Sequence, residues 1–132
     1  MNDITENIER WHRMVRSKST AALADMVAED AVFESPVVHT PQQGKAITVK
    51  YLTAAMSVLN NDRFRYLREW RAPDSAVLEF EGVCEGIKIN GVDMISWNQQ
   101  GQIVHFKVMV RPLKGMNKLH ELMGRTLQHG PA

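Results

Sequence analysis

The stretch Gly86–Gly101, GIKINGVDMISWNQQG, alternates with a period of two. Ile87, Ile89, Gly91, Asp93, Ile95 and Trp97 share one parity, while Lys88, Asn90, Ser96 and Asn98 make the other mostly polar. A β-strand sends successive side chains to opposite faces, so the pattern predicts a strand with one buried face and one wet face. Asp93 falls on the buried face. A carboxylate among isoleucines and a tryptophan must be hydrogen-bonded, ion-paired or kept neutral by a raised pKa, because an unpaired buried charge is costly. Two readings stay open: a structural aspartate tied to backbone or to an arginine such as Arg68, or a functional acid–base group.

The rest of the chain supplies partners for that strand. Residues 3 to 16 carry Ile4, Ile8, Trp11 and Val15, with Met14 beside them, at helical spacing, and Glu6, Glu9, Arg10 and Arg13 on the other side. Ser19 or Thr20 can cap a second helix, TAALADMVA. Glu29-Asp30 reads as a turn into a short strand, AVFES, with Ala31, Phe33 and Ser35 on one face and Pro36 as its stop. A loop to Gly44 leads to a third helix over 45–59, whose lines include Ile47, Tyr51, Ala55 and Val58. Strands follow. Phe64, Tyr66 and Trp70 alternate, with Arg68 as the exception on their face. Leu78, Phe80, Gly82 and Cys84 then alternate against Glu79, Glu81 and Glu85. Asn98–Gly101 makes a hairpin connection, after which Val104, Phe106, Val108 and Val110 face one way and His105, Lys107 and Arg111 the other. Pro112 can open a last amphipathic helix through Met123, and the tail Gln128–Ala132 is expected to fray.

Helices, a short strand, a third helix and then consecutive strands make an α+β plan. The expected fold is a curved antiparallel sheet wrapped around three N-terminal helices as a cone with an apolar pocket, plus a C-terminal helix, and 1–132 form one domain. Phe33, Phe80, Ile89, Ile95, Trp97, Phe106 and Val108 would line the concave face. Sixteen basic and fifteen acidic residues leave a formal charge of +1, which argues against a nucleic-acid partner. No apolar run reaches the roughly 18 residues of a membrane span, the opening MNDITENIER lacks a signal peptide's apolar core, and the single Cys84 suits a reducing compartment. The expectation is a cytoplasmic protein without a membrane partner.

AALADMVAEDAVFESPV, the helix opening at GKAITVKYL, and VDMISWNQQGQIVHFKVMV resemble the nuclear transport factor 2-like superfamily, over about residues 4 to 125. That superfamily includes ketosteroid isomerases and SnoaL-like polyketide cyclases. The resemblance implies a small-molecule pocket and, in the isomerases, three groups: a base before a proline at the end of the first strand, an oxyanion-hole tyrosine on the first helix, and a neutral aspartic acid before the last hairpin. The corresponding positions here are Ser35, about Trp11, and Asp93. The isomerase base is therefore absent. The inward residues of the last strand are all apolar, which also leaves the epoxide hydrolase chemistry of this fold unsupported. The five histidines, at 12, 39, 105, 120 and 129, are scattered, so neither a metal nor a cofactor is expected.

The resulting expectation is a cofactor-independent acid–base enzyme of isomerase, cyclase or hydratase type. It would act on a hydrophobic carbonyl compound such as a steroid, polyketide or terpenoid. Asp93 would be the catalytic group, with Glu34 or His39 as second groups at the mouth. Trp11, Met14, Phe33, Ser35, Tyr51, Ala55, Phe80, Ile95, Trp97, Phe106 and Val108 would hold the ligand. A cavity below about 300 Å³ would be small for such compounds. The alternatives are a non-catalytic binder of hydrophobic ligands and an interaction module. In the latter, Val83, Met94, Ile103 and Met109 on the outer sheet face would pair two copies as a homodimer.

Overall fold

The computed structural model describes residues 3–129, and the end of the expected frayed tail, 130–132, lies outside them. The first helix, α1 (Ile4–Ser17), starts where the Asp3 side chain accepts the Thr5 N–H and stops at Lys18 in the left-handed region. Its apolar stripe buries Ile8, Trp11 and Met14. Ser19 caps α2 (Thr20–Asp25), which ends sooner than its apolar spacing suggests. Val27 already belongs to a strand, β1 (Val27–Glu34). Glu29 and Asp30 are not a turn. They bulge outward within β1, where the register against its neighbour shifts between Val27 and Val32.

After β2 (Gln42–Gln43) comes α3 (Lys45–Leu59), then β3 (Arg65–Arg71), β4 (Ser75–Cys84), β5 (Ile87–Trp97), β6 (Ile103–Arg111) and α4 (Leu113–His129). The strands form one six-stranded sheet in the order β2-β1-β6-β5-β4-β3. Its pairings are antiparallel apart from β1 with β6, which run parallel, so the sheet is mixed where an antiparallel one was expected. Parallel neighbours cannot be joined by a tight hairpin; here α3 and four strands intervene in the chain. The sheet is curved and unclosed, and the helices cover its buried face.

The central alternation is as read: Ile89, Gly91, Asp93, Ile95 and Trp97 are buried. Two bulges alter the parity elsewhere. One on β3, between Tyr66 and Arg68, puts Tyr66 opposite Phe80 but Arg68 opposite Glu79 and Trp70 opposite Val77. Trp70 therefore faces outward at 51% exposure, its ring beneath the Arg68 guanidinium, and does not share a face with Tyr66. The other, between Ser96 and Trp97 in the β5–β6 ladder, pairs Trp97 with Ile103, which is fully buried and so not part of an outer face. The β5–β6 connection closes as expected, with Gly101 at φ +76 and its N–H on the Asn98 carbonyl.

Gly91 marks a close approach. A Cβ there would stand 2.5 Å from the Met109 carbonyl oxygen and 2.7 Å from the Phe80 ring. Backbone cannot step aside as a flexible side chain can. Gly91→Ala is therefore expected to destabilise the fold by about 1–3 kcal/mol, read as a lower urea midpoint at unchanged slope. An unchanged midpoint would show that β4 and β6 are not held this tightly.

Candidate functional site

Asp93 sits on β5 between Leu78 of β4 and Val108 of β6, so both flanking side chains on its face are apolar. It is 7% exposed. Among the described residues its one hydrogen-bond partner is Tyr66, whose hydroxyl donates to Asp93 Oδ2 at 2.5 Å. The Trp11 indole N–H donates in turn to the Tyr66 oxygen at 3.0 Å. The three groups form a chain in which only the Tyr66 hydroxyl donates to the carboxyl group. Arg68, the other candidate partner, is paired with Glu79 at 2.8 Å on the outer face.

This arrangement sets the charge state. Burial pushes the Asp93 carboxyl up to about 7, and the hydrogen bond from Tyr66 pulls the other way. Tyr66 is held well above its ordinary range by its own burial and by the adjacent carboxylate. Tyr66 thus keeps its proton, and Asp93 is the group that can gain or lose one near neutrality. Aromatic rings fix the tyrosine: His12 meets its ring edge-on at 5.1 Å and Phe64 at 5.2 Å.

Asp93 opens onto a cavity of about 210 Å³. Of the residues expected to hold a ligand, Trp11, Phe33, Ser35, Tyr51, Ala55, Phe80, Phe106 and Val108 line it with Asp93. Three expected contacts do not reach it. Met14, Ile95 and Trp97 are buried in the core away from the cavity wall. Glu34 is not a mouth group either: it lies 2.6 Å from His105 Nε2, which holds its carboxyl below the usual range. His39 is exposed on the loop and off the cavity wall. The wall reaches the surface at Val38 and at His120 and Gly124 of α4, which are exposed, with Pro36, Val37, Met123 and Leu127 half-buried in the same lining.

Tyr66 is the site residue that sequence reasoning missed. Its parity placed it with inward aromatics, but nothing local named Asp93, 27 positions away, as its partner. Among the described residues no three His, Cys, Asp or Glu side chains gather where they could hold a metal ion. No helix among them is long and apolar enough to cross a membrane.

Residues 8–106 match the family described as the SnoaL-like domain. The chain belongs to that family. Among solved structures, this SnoaL-like chain is similar to a steroid delta-isomerase from Pseudomonas aeruginosa, at 34% identity and a TM-score of 0.88. That match covers 94% of this chain and 90% of that one. A protein with a cystatin-like fold from Silicibacter pomeroyi DSS-3 is 25% identical at a TM-score of 0.88, covering 98% and 90%. A nuclear transport factor 2-like protein from Mesorhizobium loti, 23% identical with a TM-score of 0.70 over 82% and 90%, shares the fold. No curated protein matches the chain by sequence. The SnoaL-like assignment places the chain in the nuclear transport factor 2-like superfamily, as its motifs indicated.

Proposed function

We propose that this SnoaL-like protein is a cofactor-independent acid–base enzyme of isomerase type, acting on a compact, largely apolar ketone. The observation that carries the reading is Asp93: a buried carboxyl titrating at about 7, facing an apolar cavity and held from behind by Tyr66. At neutral pH its charged and neutral forms are both well populated. The charged form can take a proton from the carbon beside a carbonyl, and the resulting acid can return it at another carbon. Proton transfer by one positioned group typically accelerates such a step about 10²–10⁴-fold. The likeness to a steroid delta-isomerase supports the isomerase class.

The cavity volume narrows the substrate. About 210 Å³ is below the roughly 300 Å³ at which ligand pockets usually begin, so a one- or two-ring compound suits it better than a four-ring steroid. A longer ligand would have to extend through the mouth past Val38 and His120.

The test is exchange of ligand protons with solvent deuterium. α-Tetralone and related cyclic ketones incubated with the protein in D2O are expected to lose their α-C–H signals by NMR, in proportion to enzyme. Binding without exchange would overturn the catalytic reading in favour of a ligand-binding protein, a result consistent with Ser35 standing where the isomerases carry their base.

A further inference from the structure

Asp93 accounts for one polar end of the cavity. Two strands along the same sheet, the cavity wall carries a second polar group that the proton transfer does not use. Ser35 follows directly on β1, and its Oγ accepts the backbone N–H of Val37 at 3.0 Å and that of Val38 at 3.4 Å. These bonds occupy its acceptor sites and tie it to the loop. Its own proton has no acceptor among the described residues, and the side chain lines the cavity. A serine held in this way offers a ligand one thing, a hydrogen-bond donor.

Strand register gives its position relative to Asp93. Glu34 pairs with Lys107, so Ser35, the next residue, comes level with Val108, and Val108 pairs with Asp93. Ser35 and Asp93 are thus two strand spacings apart, about 10 Å at the backbone, with the apolar Val108 between them. Their side chains face one cavity. Allowing a hydrogen bond of about 2.8 Å at each end leaves about 3–5 Å between the ligand atoms that could meet both groups. That span matches oxygens on carbons in a 1,3 or 1,4 relation.

Resting on the ketone-pocket reading, we infer that Ser35 is a second ligand-binding site and that the substrate is bifunctional. It carries a carbonyl at Asp93 and a further acceptor oxygen, two or three carbons away, at Ser35. A ligand without that oxygen leaves the hydroxyl desolvated and unpaired, which is how a polar site rejects the analogue lacking its partner.

The experiment compares α-tetralone with 4-hydroxy-α-tetralone, whose oxygens are 1,4-related, by NMR titration of the intact protein. The hydroxy compound is expected to bind about tenfold more tightly. Ser35→Ala should abolish that preference, weakening the hydroxy compound while lifting the penalty on α-tetralone, and Ser35→Thr, which retains the hydroxyl, should keep it. Tyr51 brings another hydroxyl to the cavity, stacked on Phe33 at 5.4 Å. A preference that survives Ser35→Ala, or that vanishes in Tyr51→Phe instead, overturns the assignment. Equal binding of both ketones, with exchange still dependent on Asp93, overturns the second site and leaves the ketone reading standing. If neither compound binds, both fall.

Discussion

Asp93→Asn is expected to abolish proton exchange while making the folded protein more stable above neutrality. Asparagine keeps the shape and can still accept the Tyr66 hydrogen bond, but it neither gains nor loses a proton in this range. The rate of α-proton exchange should fall about 10²–10⁴-fold, the usual contribution of one acid–base group. Persistence of exchange in the variant would show that another group moves the proton.

The stability half of this expectation follows from linkage. The Asp93 carboxyl rises from 3.8 to about 7 on folding, which corresponds to about 4 kcal/mol. Its folded pKa is raised, so the group costs nothing below about pH 4, where it is protonated in both states. The penalty grows as pH climbs toward 7 and is complete above it. Removing the ionisable group should therefore give a stability gain that is absent at pH 4 and reaches a few kcal/mol by pH 8. Other carboxylates work in the opposite sense, since Glu34, Glu79 and Glu121 are all held below their usual range. The difference between variant and parent, measured by denaturant titration at each pH, isolates Asp93 from them. A difference that does not change with pH would mean that Asp93 is ionised at little cost. A functional group that weakens its own fold is the usual sign of a site shaped for chemistry and not for stability.

How much of this could be read beforehand depends on where the determining contacts lie. The parity of Asp93 was legible because β5 runs without a bulge from Ile87 to Ser96, and an uninterrupted strand transmits its period faithfully. Bulges are where that inference failed. The extra residue in β3 turned Trp70 outward and explains why Arg68 broke the pattern, and the one in the β5–β6 ladder buried Ile103. A bulge has no strong local signature, since it depends on the partner strand. The cavity wall was legible only in part for a related reason. Periodicity says that Met14, Ile95 and Trp97 are buried, but which buried residues face empty space depends on how the helices cover the sheet. The Tyr66–Asp93 contact was wholly nonlocal, set by the β3–β4 and β4–β5 registers together.

That contact makes Tyr66→Phe the second decisive change. Phenylalanine keeps the ring among His12, Phe64 and Phe80, so packing is preserved and the hydroxyl alone is lost. Two groups are then stranded. Asp93 loses its sole hydrogen-bond partner among the described residues, and the buried Trp11 N–H loses its acceptor. The lost bond favoured the ionised carboxylate, so the Asp93 pKa should rise above its present value of about 7. The pH at which exchange reaches half its maximum should move upward with it, while the plateau at high pH survives. Loss of a bond to a charged acceptor, together with an unpaired indole, should cost about 2–4 kcal/mol above neutrality. At pH 5, where Asp93 is neutral in both proteins, the cost should be smaller. A carboxyl carbon titration by NMR reads the pKa directly. If it does not move, Tyr66 is packing beside Asp93 without tuning it, and the buried carboxyl owes its charge state to desolvation alone.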